Sequence, residues 1–162
     1  MRFNRTFAKA KGFTLIEMVV VVAIVGILAG AAMPFIRYGE QRIKERELRQ
    51  SLREIRIAID AYRKASVEGM ISRKVGASGY PPTLEVLVEG VVDAKNAESQ
   101  KIYFLRRIPR DPFASPETGI KEMWGIRSYA SPANEPKAGD DVYDVYSKNQ
   151  GIGSNGAKYR DW

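Results

Sequence analysis

Hydrophobic residues fill one continuous stretch near the start of the chain. Residues 13–36 read FTLIEMVVVVAIVGILAGAAMPFI and carry a single charged side chain, Glu17. In a helix that rises ~1.5 Å per residue, about 20 apolar residues cover the ~30 Å hydrocarbon core of a bilayer. The pattern predicts a transmembrane helix over residues 13–36. Pro34 is expected to kink or loosen this helix rather than to end it.

The next stretch, residues 37–65, has a different pattern. Its apolar side chains recur at spacings of four and three residues, at Leu48, Leu52, Ile55, Ile59 and Tyr62. This spacing places them on one face of an amphipathic helix. We therefore predict one long helix of about 50 residues. Its first half is apolar, and its second half is the spine of a head domain, residues 37–162.

Charged side chains cover the rest of the amphipathic half. Oppositely charged residues stand four apart, as in Glu45–Arg49 and Asp60–Lys64, which favours a solvated helix face. Residues 37–64 contain nine basic and five acidic side chains, hence a net charge of +4. A DNA-binding face is therefore an alternative. The mixed signs and the regular apolar stripe favour the solvated face.

The remainder of the chain predicts loops, a short helix and two strands. Residues 66–79 are polar and rich in glycine, which predicts a loop. Thr83 follows two prolines and is a candidate N-cap for a short helix. The apolar face of that helix consists of Leu84, Leu87, Val88 and Val91. Residues 124–129 and 142–147 predict two strands. The elements together predict an α+β fold, with the long helix packed on a small antiparallel sheet.

Charge and composition exclude several classes of function. Four basic residues precede the apolar stretch, Arg2, Arg5, Lys9 and Lys11. Positive charge there holds that end in the cytoplasm, so the head is expected on the other side of the membrane. The net charge of +7 comes from the leader and one helix, which argues against a broad nucleic-acid surface. The chain has no Cys and no His, so disulfides, the usual zinc sites and Cys or His catalysis are absent.

A motif marks the start of the apolar stretch. The basic leader ends in Lys11-Gly12, and Phe13-Thr14-Leu15-Ile16-Glu17-Met18 follows. This segment resembles the processing and methylation motif of type IV pilins. The resemblance implies that a prepilin peptidase removes residues 1–12 by cutting between Gly12 and Phe13. It also implies that the new N-terminal Phe13 is methylated and that Glu17 supports subunit assembly.

The apolar stretch has two other possible interpretations. One is a secretory signal peptide, with Ala29-Gly30-Ala31 as a cleavage site of small residues. The other is a plain membrane anchor. Both leave Glu17 unexplained, because an ionisable side chain within a membrane span is costly and usually serves a function.

A second segment indicates which group of pilin-like proteins the chain resembles. Residues 105–113, Leu-Arg-Arg-Ile-Pro-Arg-Asp-Pro-Phe, are similar to a segment of the major pseudopilins of type II secretion systems. The two prolines, three residues apart, restrict the backbone and exclude helix. Asp111 is expected to bind neighbouring amides in the turn. The order of residues 144–147, a glycine-rich loop and Trp162 is also similar to the C-terminal part of those proteins.

The resemblance implies a structural subunit and not an enzyme. Such a subunit sits in the inner membrane as a single-pass protein with its head in the periplasm. It polymerises through its N-terminal helix into a periplasmic pseudopilus, which drives protein secretion across the outer membrane. The implied partners are further copies of the chain, the prepilin peptidase, minor pseudopilins, the inner-membrane assembly platform and, before assembly, membrane lipid. Nucleic acid is not expected. Within the class, the alternative is a type IV pilin for adhesion, motility or DNA uptake. From a different class, the alternative is a membrane-anchored periplasmic enzyme.

The resemblance also raises the question of a metal. Major pseudopilins commonly hold calcium in the C-terminal loop, and calcium needs several oxygen ligands, usually including carboxylates. This chain departs from that pattern, because residues 147–160 contain no carboxylate. The candidate ligands are Ser147, Asn149, Asn155 and Asp161. Calcium therefore stays open, and a loop held by Tyr159 and Trp162 is the favoured interpretation.

Three acidic residues form the other candidate for chemistry. Asp140, Asp141 and Asp144 would act as an acid–base pair only if two of them faced a pocket about 5–10 Å apart. Their position in a connection and on a strand favours solvated side chains instead. The chain has no phosphate-binding glycine loop and no nucleophile motif. We find no enzyme signature.

Overall fold

The structure, a computed structural model, describes the backbone of residues 12–162 and the side chains of residues 12–30 and 39–162. The predicted leader lies outside the described residues except for Gly12. The elements in chain order are helix α1 (Leu15–Val67), helix α2 (Val86–Glu89), strands β1 (Val91–Val92) and β2 (Lys101–Ile102), helix α3 (Ile120–Met123), strands β3 (Trp124–Arg127) and β4 (Asp144–Ser147), and a 3-10 helix (Tyr159–Asp161). This order confirms the predicted α+β class.

Helix α1 is the long helix that the sequence predicts, with 53 residues. It does not end at Pro34. Its end is set by Gly69, whose φ of 74° is a left-handed conformation that glycine adopts without strain. The amide of Gly69 donates to the carbonyl of Ser66, and the amide of Met70 donates to that of Ala65. These two bonds form a Schellman motif, which satisfies carbonyls that the helix end would otherwise leave free.

The chain divides into two units, and helix α1 belongs to both. The first unit ends at Gln41, and the second is Arg42–Trp162. In the described part of the first unit, the apolar side chains are exposed, including Phe13, Leu15 and Val22. Among the residues that were described, no helix is long and apolar enough to cross a membrane. The predicted span over residues 13–36, part of which falls on undescribed side chains, stays a prediction.

The core of the second unit is built on the predicted stripe of helix α1. All five stripe residues are buried, and Leu48 and Ile55 are 0 % exposed. The same cluster contains side chains from several later segments of the chain: Leu84, Leu87, Leu105, Ile108, Met123, Trp124, Val142, Val145 and Tyr159. Burial of such side chains contributes about 1.5–3 kcal/mol each. The stripe is therefore the surface on which the second unit folds.

The strands form two separate antiparallel pairs instead of one small sheet. Strand β3 pairs with β4, with Trp124 opposite Ser147 and Arg127 opposite Asp144. Strands β1 and β2 pair with each other, with Val91 opposite Ile102. The sequence did not predict this second pair, because two-residue strands carry no alternation. At Gly125, a Cβ atom would lie 2.1 Å from the ring of Tyr146, so this position in β3 accepts only glycine without rearrangement.

The short helix after the two prolines begins later than predicted. Helix α2 starts at Val86, and the residue at its N-cap is Glu85, which makes no side-chain capping bond. The prediction of Thr83 as the N-cap is therefore wrong. Leu84 and Leu87 are buried as predicted, whereas Val91 lies in strand β1.

The proline-containing segment, residues 105–113, packs against the β3–β4 pair. The indole Nε1 of buried Trp124 donates to the carbonyl of Pro109 at 3.0 Å. One carboxylate oxygen of Asp111 accepts from the amide of Phe113 at 2.8 Å, which confirms the predicted turn bond. The other accepts from the Ser147 hydroxyl at 2.5 Å. Asp111 is 3 % exposed, so it links this segment to strand β4 within the core.

Candidate functional site

The predicted processing site lies in an exposed, irregular segment. Gly12 and Phe13 precede helix α1 and belong to no helix or strand. Phe13 is 72 % exposed. A protease needs an extended and accessible backbone around the bond that it cuts, and exposed irregular segments provide this. The geometry of the described residues is thus compatible with cleavage between Gly12 and Phe13.

Glu17 lies in the first turn of helix α1. Its amide donates to the hydroxyl of Thr14 at 3.3 Å, so Thr14 caps the helix. Thr14 and Glu17 have the spacing of a capping box, and an acidic residue in the first turn is favoured by the helix dipole. The cap uses the main-chain amide of Glu17 and not its carboxylate. The assembly role of that carboxylate stays a prediction.

The candidate calcium ligands in the C-terminal loop are engaged in bonds within the fold. Ser147 donates to Asp111 and accepts from the amide of Asn149 at 3.1 Å. The side-chain oxygen of Asn149 accepts from the amide of Gly151 at 2.7 Å, and that of Asn155 accepts from the amide of Ala157 at 3.1 Å. Asp161 is exposed. In the part of the chain that is described, no three acidic side chains are grouped as a metal site would need.

A carboxylate from helix α1 holds this loop. Glu45 is 2 % exposed. It accepts from the amide of Ser154 at 2.8 Å, from the Ser154 hydroxyl and from the Tyr159 hydroxyl at 3.1 Å. At least three donors therefore surround this one carboxyl group. The loop is therefore connected to helix α1 through a protein carboxylate.

Two predictions about helix α1 and the C-terminal loop have different outcomes. The prediction that Glu45 lies on the solvated face of helix α1 is wrong, because Glu45 is buried. Lys64 pairs with Glu68 at 3.9 Å and not with Asp60. The predicted role of the aromatic residues is confirmed: Tyr159 stacks on Phe113 with ring centroids 4.2 Å apart and contacts Trp162 edge-on at 5.0 Å.

The acidic residues of the 139–144 region do not form an acid–base pair. Asp141 is buried, not solvated as predicted. It accepts from the Ser128 hydroxyl at 2.9 Å and from the amide of Tyr129 at 2.8 Å. Burial alone raises the pKa of Asp141, but the hydrogen bonds from Ser78, Tyr129 and Ser128 outweigh burial and lower the pKa below its ordinary value of 3.8. Asp141 is therefore an ionised anchor for the connection.

Asp144 is the centre of an ion-pair network. Its carboxylate contacts Arg56 of helix α1 at 2.8 Å and Arg127 of strand β3 at 3.3 Å. Arg56 also donates to the main-chain carbonyls of Val145 and Trp162. The prediction of Asp144 as an exposed strand residue is therefore wrong. The network fixes strand β4 and the end of the chain to helix α1.

Comparisons with known proteins place the chain among pilin-like proteins. The model of the prokaryotic N-terminal methylation motif matches residues 7–33. The chain is 33 % identical over 141 residues to the type II secretion system core protein G of Pseudomonas aeruginosa, covering 81 % of the chain and 90 % of that protein. It is 30 % identical over 112 residues to core protein G of Klebsiella pneumoniae, covering 66 % of the chain and 71 % of that protein.

A further similarity is confined to a shorter stretch. The chain is 45 % identical over 56 residues to the type IV major pilin protein PilA of Myxococcus xanthus, which covers 34 % of the chain and 25 % of that pilin. No solved structure was found to match the chain. The similarity over most of the chain is thus to the core protein G of secretion systems.

Proposed function

Since the chain belongs to the family of the type II secretion system core protein G, we propose that it is a major pseudopilin, a structural subunit of a secretion pseudopilus. Copies of the chain polymerise through the N-terminal helix and drive protein secretion across the outer membrane. The observation that carries this proposal is the 33 % identity with the Pseudomonas aeruginosa protein, which extends over 90 % of that protein. Similarity of that extent includes the head as well as the N-terminal motif.

The proposed site is the segment around Gly12, Phe13 and Glu17. A prepilin peptidase cuts after Gly12, and the new amino group of Phe13 is methylated. Residues 13–36 anchor the subunit in the inner membrane, with the head, residues 37–162, in the periplasm. The exposed apolar side chains of the first unit, such as Leu15 and Val22, support this proposal, because burial against lipid or neighbouring subunits would remove them from water.

Glu17 is proposed to pair with the amino group of Phe13, on the same or a neighbouring subunit. A carboxylate within a membrane span costs about 2.5–3.5 kcal/mol at the centre and less toward the edge. In a fibre no lipid headgroups remain, and a charge in the fibre core needs a partner. Cleavage after Gly12 creates that partner. The pairing sets the axial register as each subunit leaves the bilayer.

The experiment compares leader cleavage and fibre yield in the same cells. Full-length chain, Glu17→Val and Glu17→Gln are produced with a prepilin peptidase and the secretion assembly platform. Glu17→Gln keeps the polar side chain three residues after Thr14 and removes the charge. We expect both variants to insert and to be cut, and both to give little sheared fibre. Normal fibre from Glu17→Gln would show that assembly does not need a charge at this position, and would contradict the proposed pairing with Phe13.

The alternative within the class is a type IV pilin. The similarity to the Myxococcus xanthus pilin supports it, but over a third of the chain only. The two functions differ in where the fibre acts. A pseudopilin variant that fails to assemble stops secretion, whereas a pilin variant changes adhesion, motility or DNA uptake and leaves secretion intact.

A further inference from the structure

The outward side of helix α1 in the second unit has a seven-residue repeat. At 3.6 residues per turn, residues seven apart lie almost in line along a helix. Ile43, Gln50 and Ile57 form such a line on the side opposite the buried stripe. Ile43 is 55 % exposed and Ile57 is 62 % exposed. Two isoleucines thus face water on the part of the helix that is farthest from the core.

Residues of opposite charge lie on the two sides of this line. One side, the acidic flank, consists of the exposed residues Glu47 and Glu54. The other side, the basic flank, consists of the exposed residues Arg42, Arg46, Arg49 and Arg53. At ~100° per residue the two flanks are roughly 120° apart around the helix axis. One helix therefore presents a positive edge, an apolar line and a negative edge.

Among the described residues, none of these six side chains forms an ion pair. One exposed residue of opposite charge lies near each flank, Lys44 beside the acidic flank and Asp60 in line with the basic flank. Arg49 instead lies over the ring of Trp162, 4.1 Å from its centroid. Arg42 and Arg46, and likewise Arg49 and Arg53, are four residues apart, and like charges at that spacing destabilise a helix. The separate subunit thus carries an unfavourable arrangement that a partner of opposite charge would relieve.

The basic flank also borders a groove. A cavity of about 280 Å³ lies beside Trp162, and its other lining residues are Arg49, Leu52, Arg53, Arg56, Ile57 and Asp60. Its floor is largely apolar, from Leu52 and Trp162. Because Arg49 and Arg53 outnumber the one carboxylate, Asp60, the surface suits a second carboxylate that is accompanied by an apolar side chain. The acidic flank of the same helix has that composition, because Ile43 precedes Glu47 by four residues.

We propose that the basic flank of one copy of the chain packs against the acidic flank of a second copy, with the two helices parallel. This inference rests on the proposed fibre, in which copies related by one repeated helical operation have their helices pointing the same way. Two different surfaces of each subunit then meet, and such head-to-tail contacts give open filaments. If one helix slides along the other by seven residues, ~10.5 Å, basic side chains again lie opposite acidic ones. Neighbouring subunits can therefore be offset along the fibre axis and keep the contact. Basic-to-basic packing is disfavoured by repulsion.

Cysteine crosslinking in the full-length chain tests this contact. The chain has no cysteine, so every disulfide would come from the introduced residues. The variants Arg42→Cys/Glu47→Cys and Arg42→Cys/Glu54→Cys each carry one cysteine on each flank and test two values of the stagger. Positions 42 and 54 are ~18 Å apart along one helix, which excludes a bond within the subunit. We expect one of the two variants to give a ladder of covalent oligomers in oxidised cells.

The matched control is Arg42→Cys/Arg53→Cys. It moves the second cysteine by one residue, from the acidic to the basic flank, and should give no ladder. A ladder from this control, or dimers from Arg42→Cys alone, would contradict the contact of unlike flanks. If fibres form but neither test variant gives a ladder, the contact between the flanks is wrong and the proposed function stands. A ladder without fibres would keep the contact and contradict the proposed function.

Charge reversal provides a second measurement. Glu47→Arg/Glu54→Arg removes two attractive pairs and adds repulsion, and we expect at least about a threefold loss of sheared fibre at low salt. Adding Arg42→Glu/Arg53→Glu restores opposite charges across the contact and should recover the fibre. No recovery in the fourfold variant, with leader cleavage and folding intact, would argue against charge pairing between the flanks.

Discussion

Replacing Glu45 with alanine should destabilise the head, because the Glu45 carboxylate is what connects the C-terminal loop to helix α1. Alanine removes at least three hydrogen bonds, two from Ser154 and one from Tyr159. Hydrogen bonds to a charged group contribute about 1.5–3 kcal/mol each when measured singly. The energies of three bonds that share one carboxyl group cannot simply be added. Burying a carboxylate is also costly, and that cost disappears in the variant.

The lost hydrogen bonds and the removed cost of burying Glu45 together determine the expected loss of stability. Removing a partner so that a buried donor is left unsatisfied costs about 1–3 kcal/mol for that donor. Here the amide and hydroxyl of Ser154, at an exposed position, regain water, whereas the hydroxyl of buried Tyr159 does so less easily. We therefore expect Glu45→Ala to lower the free energy of unfolding by about 2–4 kcal/mol. This corresponds to a fall in melting temperature of roughly 8–16 °C for a domain of this size.

The assay is urea unfolding of residues 37–162, followed by circular dichroism. Glu47→Ala is the matched control, since it removes the same side chain two residues later on the same helix, where Glu47 is exposed. A surface change of this kind should alter stability by no more than about 0.5 kcal/mol. Equal stability of Glu45→Ala and Glu47→Ala would refute the role assigned to Glu45.

Three further predictions concern the same domain. Residues 37–162 should fold as a monomer, and Ile55→Ala should cost about 2–5 kcal/mol, whereas Ile57→Ala, on the exposed face, should cost little in the same urea titration. Chelators should leave the melting temperature of the head almost unchanged, because a protein carboxylate already holds the loop; a large loss reversed by calcium would contradict this. The lowered pKa of Asp141 stabilises the fold above about pH 4, and this contribution is lost as the pH falls through the folded-state pKa. Asp141→Asn should therefore be less stable than the parent at pH 7, with a smaller difference at pH 2–3; a difference independent of pH would contradict it.

The features that the sequence predicted correctly depend on local patterns. The spacing of Leu48, Leu52 and Ile55 identifies the buried face of helix α1, because helical periodicity maps directly onto one face. The strands at 124–127 and 144–147 follow from short runs of β-branched and aromatic residues. The bond from the Phe113 amide to Asp111 was predictable, since an Asp side chain in a turn commonly accepts from the amide two residues further on.

The features that it missed depend on contacts between distant residues. Glu45 stands among charged residues that are solvated, and only the fold brings it to Ser154, 109 residues away. The pairing of Arg56 with Asp144 spans 88 residues, and no local pattern of either residue indicates it. Strands β1 and β2 have two residues each, so their pairing also depends on the tertiary structure.

The position of Glu45 on helix α1 is itself a signal of burial. Glu45 lies three residues before Leu48 and seven before Leu52, which places it at the edge of the buried stripe. A charged residue at that edge needs partners if it is covered. The C-terminal loop, with several hydroxyl groups and no carboxylate of its own, supplies donors. Together these two features would have predicted a contact between helix α1 and the loop, although not its geometry.

The mass of subunits recovered from sheared fibres tests the central proposal most directly. Full-length chain is produced with a prepilin peptidase and the secretion assembly platform, and the N-terminal peptide of the fibre subunit is identified by mass spectrometry. A pseudopilin should begin at Phe13, carry one methyl group on its amino nitrogen and lack residues 1–12. Subunits that retain residues 1–12, or that begin near Ala32 as a secretory signal peptide would require, would contradict the proposed function.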